Sequence, residues 1–294
     1  MSDFAGYLMI GLMTGAVYSL IALGIVLVYQ STGVFNISLP WLVPFGAYLA
    51  YAALVQIGMP FWLAIPIVLI VAALSGYLLQ RLTIQPLLGQ SLLTTAFMTL
   101  GLAVILQGVM VLVWGFDGDV LPRFFAVGGL RFGEFSLSYD HLLALFVALI
   151  LVFAMFLFQK YSRAGLAMRV TAESHVVAAS LGVKVSGVAA MSWILAAAVA
   201  AIGGVLLGNI SAIDTSMLDI GVRAFAVVLL GGLESLSGAI LAGLLIGVVE
   251  TVASAYLDPY VGGGIRDVAA FAILLIALLV RPYGFFGWKR IERI

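Results

Sequence analysis

YLMIGLMTGAVYSLIALGIVLVY, residues 7–29, holds twenty-three residues without one charged side chain. A bilayer core of about 30 Å needs about 20 helical residues at about 1.5 Å rise. The stretch is therefore read as a membrane-spanning helix. Only Asp3 is charged upstream of it, so the basic start of a cleavable signal is lacking and the segment is expected to stay as the first span. The uncharged start also permits an outside N-terminus.

Runs of similar character recur at 41–56, 61–79, 92–114, 141–158, 188–210, 220–236, 238–257 and 264–280. Among the 294 residues, 64% are hydrophobic and 9% charged, with a mean hydropathy of +1.25. A water-soluble domain is near half apolar and a quarter charged. The fold class expected is thus an all-α, polytopic membrane helix bundle of eight to ten spans with interrupted helices, nine being the best single value. The whole chain, 1–294, reads as one transmembrane domain.

Thirteen basic and thirteen acidic residues cancel, leaving no global charge to attract nucleic acid. The absence of cysteine excludes disulfides and thiolate chemistry. His141 and His175 stand far apart, which argues against a histidine metal centre. No G-x-x-x-x-G-K-[ST], H-E-x-x-H or G-x-S-x-G stretch occurs. The chain is expected to have no catalytic site and to bind no cofactor or metal; it moves something.

Charge also sets the expected topology. Arg81, Lys160, Arg163, Arg169, Lys184, Arg281, Lys289, Arg290 and Arg293 fall in one set of connections. Arg123, Arg131, Arg223 and Arg266 fall in the other. The positive-inside rule places the first set in the cytoplasm, giving an outside N-terminus and an inside C-terminus. Residues 115–140, with Asp117, Asp119, Arg123, Arg131, Glu134 and Asp140, then form an external loop. Residues 160–187 form a cytoplasmic one. Within it Ser174 is suited to cap a short helix, HVVAASL, and Gly182 to stop it in the left-handed region.

Small residues repeat at helical spacing as Gly11/Gly15/Ser19, Ala196/Ala200/Gly204/Gly208 and Ala239/Gly243/Gly247. Lipid gives apolar surfaces little reason to associate, so close backbone approach carries packing, within the chain or across a dimer. Polar residues mark a candidate substrate pathway. Asn36 and Ser38 precede Pro40 and Pro44 in a stretch that reads either as a break at membrane depth or as a loop capping the first helix. Glu234 and Ser235 lie in the Gly-rich stretch VLLGGLESLSGAILAG, read as a gate or as an ordinary turn. Glu250 is an acid well inside an apolar run, one helical step from Gly247, so it faces the packed stripe. Tyr18, Thr99 and Gln107 complete the set, with Thr94 and Thr95 beside them.

The stretch RAGLAMRVTAESHVVAASLGV, residues 163–183, resembles the R-x-G-x-A-x-R start, central acid and A-A-x-x-G stretch of LivH-type permeases of branched-chain amino-acid ABC importers. Arg163, Gly165, Ala167, Arg169, Glu173, Ala178, Ala179 and Gly182 hold the matching places. The likeness extends through Gly15, Tyr18, Leu20, Ala22 and Gly24, then Thr99, Gly101, Leu102 and Gln107. It continues through Gly231, Gly232, Ser235, Gly238, Ala239, Gly243, Gly247 and Glu250, and ends in RPYGFFG. Two places depart from the pattern. Leu39 and Trp41 stand where the family has histidine and glutamate, and Glu234 where it has glycine.

That resemblance implies a permease subunit of an ATP-driven importer in a bacterial-type inner membrane. The solute would be a branched-chain amino acid or a related small solute such as urea, an amide or an aromatic acid. Residues 160–187 would be the loop that couples to the ATPase. Its partners would be a second permease subunit (a LivM-type chain or another copy), two cytoplasmic ATP-binding subunits carrying ATP and Mg, an extracytoplasmic solute-binding protein, and membrane lipid. The rival reading is an ion- or proton-coupled secondary transporter built on Glu250 and Glu234.

Overall fold

The first quoted stretch lies inside α1, Ser2–Thr32, which forms the axis of the bundle. A computed structural model describes residues 2–87, 90–115, 118–124, 128–132, 135–214, 216–282 and 284–287. Asp117, Glu134, Lys289, Arg290 and Arg293, together with Tyr283 of the RPYGFFG close, lie outside the described residues.

After α1 come α2 (Leu39–Tyr51), α3 (Phe61–Leu79), α4 (Leu92–Trp114) and α5 (Tyr139–Tyr161). Two short helices follow, α6 (Arg163–Glu173) and α7 (His175–Ser180), before α8 (Val185–Ile210). The chain then forms α9 (Ser216–Gly231), α10 (Leu236–Val261) and α11 (Ile265–Val280). Each of the nine apolar runs falls on a helix, although the run at 220–236 overshoots α9, which ends at Gly231, and crosses the turn into α10. Seven helices among the described residues are long and apolar enough to cross a membrane: α1, α2 with its extension, α3, α4, α5, α8 and α10. The other two, α9 and α11, have 16 residues each, about 24 Å of helix, which falls short of a perpendicular crossing.

Pro44 does not interrupt α2. It removes only the bond to the Pro40 carbonyl, and Gly221 of α9 packs directly against Pro40; a methyl group at Gly221 would lie 2.7 Å from the Pro40 Cβ. The break falls earlier, at residues 33–38, where Gly33 takes a positive φ of 67°. Single π-helical turns, Ala52–Gln56 and Gln80–Ile84, extend α2 and α3.

Residues 115–140 depart from the all-α expectation by one small hairpin. β1 (Gly129–Phe132) pairs antiparallel with β2 (Phe135–Ser138), Leu130 opposite Leu137. Ahead of the hairpin, the Ile213 amide donates to the Asp119 carbonyl at 2.7 Å, joining this segment to the α8–α9 connection. The Tyr48 hydroxyl donates to the Ile213 carbonyl, and its ring stacks on Trp114 with centroids 5.4 Å apart.

Packing follows the small-residue stripes. The first and third interlock between α1 and α10 of the same chain. A methyl group at Gly247 would fall 2.4 Å from the Gly15 Cα, and one at Gly11 would fall 2.6 Å from the Val248 Cα. The Ser19 hydroxyl, at the end of the stripe, donates to the Gly15 and Ile240 carbonyls. The second stripe sits against α2, where a methyl at Gly204 would overlap the Val43 carbonyl oxygen at 1.9 Å. These backbones touch because no side chain holds them apart. Such contacts supply the dispersion attraction that lipid cannot.

Candidate functional site

Two places concentrate the polar residues, one at a bundle end and one inside it. The end site is the connection between α5 and α8. Ser162 closes α5 and caps α6, its hydroxyl accepting from the Gly165 amide at 2.9 Å. Gly165 is needed for the sharp reversal, since a methyl group there would lie 2.4 Å from the Gln159 carbonyl oxygen. Met168 and Thr171 are buried, whereas Arg163, Leu166, Arg169 and Glu173 are exposed. Arg169 reaches back to donate to the Lys160 carbonyl at 3.3 Å.

Ser174 caps α7 as the spacing predicted, accepting from the Val177 amide at 3.3 Å. Gly182 ends the helix with φ +84°, and the Val183 amide returns to the Ala178 carbonyl at 3.0 Å. Ala178 is fully buried and Ala179 exposed. The unforeseen part is α6. Arg163 and Arg169 read in sequence as topology markers and, by resemblance, as coupling residues, and the apolar positions of RAGLAMRVTAE are interleaved with these charges. The resulting elbow presents Leu166, Val176, Val177 and Leu181 outward, with Val176 79% and Leu181 69% exposed. Apolar side chains at that exposure outside the spanning helices make the elbow a candidate contact surface.

Within the bundle, the Tyr18 hydroxyl of α1 donates to Glu250 Oε2 of α10 at 2.8 Å. Arg223 of α9 donates through Nη1 to the same hydroxyl at 3.1 Å and lies 3.9 Å from Glu250 Oε1 through Nε. Its Nη2 pairs with Asp267 of α11. Arg266 approaches Glu250 Oε2 at 3.8 Å. Four helices are thereby joined by two acids and two guanidinium groups, and the Glu250 side chain has no exposed surface. A buried carboxylate is tolerable only with such partners.

Arg223 was expected among the loop cations. It sits inside instead, because α9 starts at Ser216, four residues before the apolar run, and carries position 223 into its third turn. Its pairing with Glu250 was not visible from spacing, as the two are joined only by the fold.

The remaining sequence-marked residues divide between two helix ends. The Asn36 side-chain oxygen, Oδ1, accepts from the Ser38 amide and hydroxyl at 2.9 and 2.7 Å, turning the chain into α2. Thr99 of α4 joins them, its hydroxyl accepting from the Ile37 amide at 3.2 Å. All three side chains are buried. Gln107 lies two turns further along α4, half-buried. Glu234 and Ser235 form the turn between α9 and α10. Ser235 caps α10 by accepting from the Gly238 amide at 3.0 Å, and the Glu234 carbonyl accepts from Gln30 Nε2 at 2.6 Å. Gln159 in turn donates to Gln30. Neither glutamine was singled out in the sequence, where each sits at the polar edge of a span.

A bundle of long apolar helices joined by a buried ion network defines a multi-pass membrane protein. Residues 7–283 match the family model described as the branched-chain amino acid transport system permease component. The chain belongs to that family, as a transport permease component and not a catalytic enzyme. It is 30% identical to the high-affinity branched-chain amino acid transport system permease protein LivH of Salmonella typhimurium and 31% identical to BraD of Pseudomonas aeruginosa. Each comparison covers 97% of this chain and 96% of the relative. A probable LivH of Methanocaldococcus jannaschii is 30% identical over 94% of this chain and 90% of its own length. Among solved structures, PsaBC from Streptococcus pneumoniae in complex with Fab shares the fold, with a TM-score of 0.50 and 17% identity over 95% of this chain and 94% of that one.

Proposed function

We propose that the chain is the membrane-spanning subunit of an ATP-driven importer for branched-chain amino acids or a related small solute, seated in a bacterial-type inner membrane. The observation that carries this reading is the α6–α7 elbow, capped at both helix starts by Ser162 and Ser174 and presenting Val176 and Leu181 outward. A rigid apolar knob between two spanning helices suits a soluble partner that pushes on it. That partner is an ATP-binding subunit, which holds ATP and Mg and performs the hydrolysis that this chain does not. Arg163, Gly165, Arg169, Glu173, Ala178, Ala179 and Gly182 form or support the contact.

The elbow then lies in the cytoplasm, with the N-terminus outside and the C-terminus inside, in line with the charge pattern of the connections. An extracytoplasmic solute-binding protein delivers the solute at the end carrying residues 115–140. A second permease subunit completes the pathway. The solute would pass polar groups drawn from Tyr18, Asn36, Ser38, Thr99, Gln107, Glu234, Ser235 and Glu250. Leu39 and Trp41, the two departures from the family pattern that the sequence resembles, bear on which solute that is. The engagement of Glu250 with Tyr18, Arg223 and Arg266 speaks against its use as a free ion-coupling group.

The test is uptake of radiolabelled leucine into proteoliposomes containing the assembled transporter. Uptake that requires both ATP and the binding protein supports the proposal. Uptake driven by an ion gradient through this chain alone refutes it.

A further inference from the structure

A crevice of about 670 Å³ opens between α3, α5 and α8, lined among others by Leu54, Ile65, Val68, Leu143, Val147 and Val205. Arg123 is the one charged side chain among the described residues that line it. We propose that this crevice binds an anionic membrane phospholipid, an acyl chain filling the apolar slot and the headgroup phosphate pairing with Arg123.

Position is the first argument. Arg123 belongs to the segment after α4, at the bundle end where α3 and α5 begin and α8 finishes. At the starts of α3 and α5, Trp62, 74% exposed, follows the lining residue Phe61, and Tyr139, 42% exposed, precedes the lining residue Leu143 by one turn. Exposed tryptophan and tyrosine at helix ends mark the level of the lipid headgroups. From Phe61 to Leu69 the lining descends eight residues, about 12 Å along a helix, which carries it below that level into the hydrocarbon. Ile70 on α3 and Phe146 and Ile150 on α5 are exposed close by, as lipid-facing residues should be.

Chemistry is the second. One guanidinium above an otherwise carbon-lined slot matches a molecule with one negative head and a long apolar tail. A zwitterionic amino acid fits poorly, because no acid among the described lining residues receives its ammonium group. A free phosphate leaves the apolar slot unused. Arg123 is exposed and makes no ion pair among the described residues, so its guanidinium is available to a headgroup oxygen.

The experiment is native mass spectrometry of the purified full-length permease after exchange into detergent with equal amounts of dioleoyl phosphatidylglycerol and dioleoyl phosphatidylcholine. Wild-type protein should retain phosphatidylglycerol at least about threefold over phosphatidylcholine. Arg123→Gln, a change at an exposed loop position, should abolish that preference. Val147→Trp, which fills the slot, should reduce retention of both lipids. Equal retention of the two lipids by the wild type, or an unchanged preference in Arg123→Gln, overturns the proposal. So does phosphatidylglycerol retention undiminished in Val147→Trp, which would mean a headgroup contact without the crevice. Displacement of the lipid by millimolar leucine or inorganic phosphate would overturn it in favour of a solute or anion pocket.

Discussion

The hydroxyl of Tyr18 stands between Glu250 and Arg223, donating to the carboxylate at 2.8 Å and accepting from the guanidinium at 3.1 Å. Tyr18 and Glu250 are 232 positions apart, and Arg223 comes from a third helix. Removing one partner of a buried charged pair costs far more than removing both, because the survivor is left desolvated. Arg223→Leu should therefore destabilise the permease by about 3–5 kcal/mol. The double variant Arg223→Leu/Glu250→Leu should lose less than the sum of the two singles. Thermal unfolding in detergent, run as a double-mutant cycle, checks this; simple additivity would mean the groups do not interact.

Tyr18→Phe keeps the ring and removes only the hydroxyl. A hydrogen bond to a charged group contributes about 1.5–3 kcal/mol, and the loss should fall in that range. A melting temperature equal to wild type would show that the hydroxyl is dispensable to the network.

Glycines offer a paired prediction. Gly247→Ala should destabilise by about 1–3 kcal/mol, since the added methyl would sit 2.4 Å from the Gly15 backbone. Gly101→Ala, in the interior of α4 with nothing within 4 Å of the added atom, should be neutral or stabilising by about 0.5–1 kcal/mol. Both are read by unfolding of the purified chain. Equal effects would contradict the α1–α10 contact.

At the elbow, Ser174→Ala removes the cap of α7 and should cost about 1 kcal/mol locally. Gly182→Pro should disturb the elbow more, because proline cannot adopt the +84° φ found there. Glu173 is exposed, so Glu173→Lys should leave folding intact while uncoupling ATP hydrolysis from uptake. Parallel ATPase and uptake assays on the assembled transporter decide this. Full uptake in both Glu173→Lys and Gly182→Pro would reduce the elbow to a connector.

The nine apolar runs were legible because lipid demands long uncharged helices, and the α1–α10 contact was foreshadowed by Gly11, Gly15, Gly243 and Gly247. The cap at Ser174 and the stop at Gly182 were legible because both are local. What escaped was non-local or disguised. Arg223 looked like a loop cation since its counter-charges, Glu250 and Asp267, arrive from other helices. α6 was hidden by its arginines, and the hairpin by a segment whose charges say nothing of strand pairing. Pro44 looked like a break, yet proline within the first turns of a helix frees only one carbonyl.

The central claim, that the elbow is where an ATP-binding subunit engages the permease, is tested most directly by site-specific cross-linking. The natural chain has no cysteine, so Val176→Cys places a single reactive thiol at the outward tip of α7. In membranes containing the assembled transporter, a thiol-directed cross-linker at this position should capture the ATP-binding subunit, with a yield that changes when ATP is added. Capture of the extracytoplasmic binding protein in its place, or no adduct with the ATP-binding subunit in a complex that transports, would contradict the account.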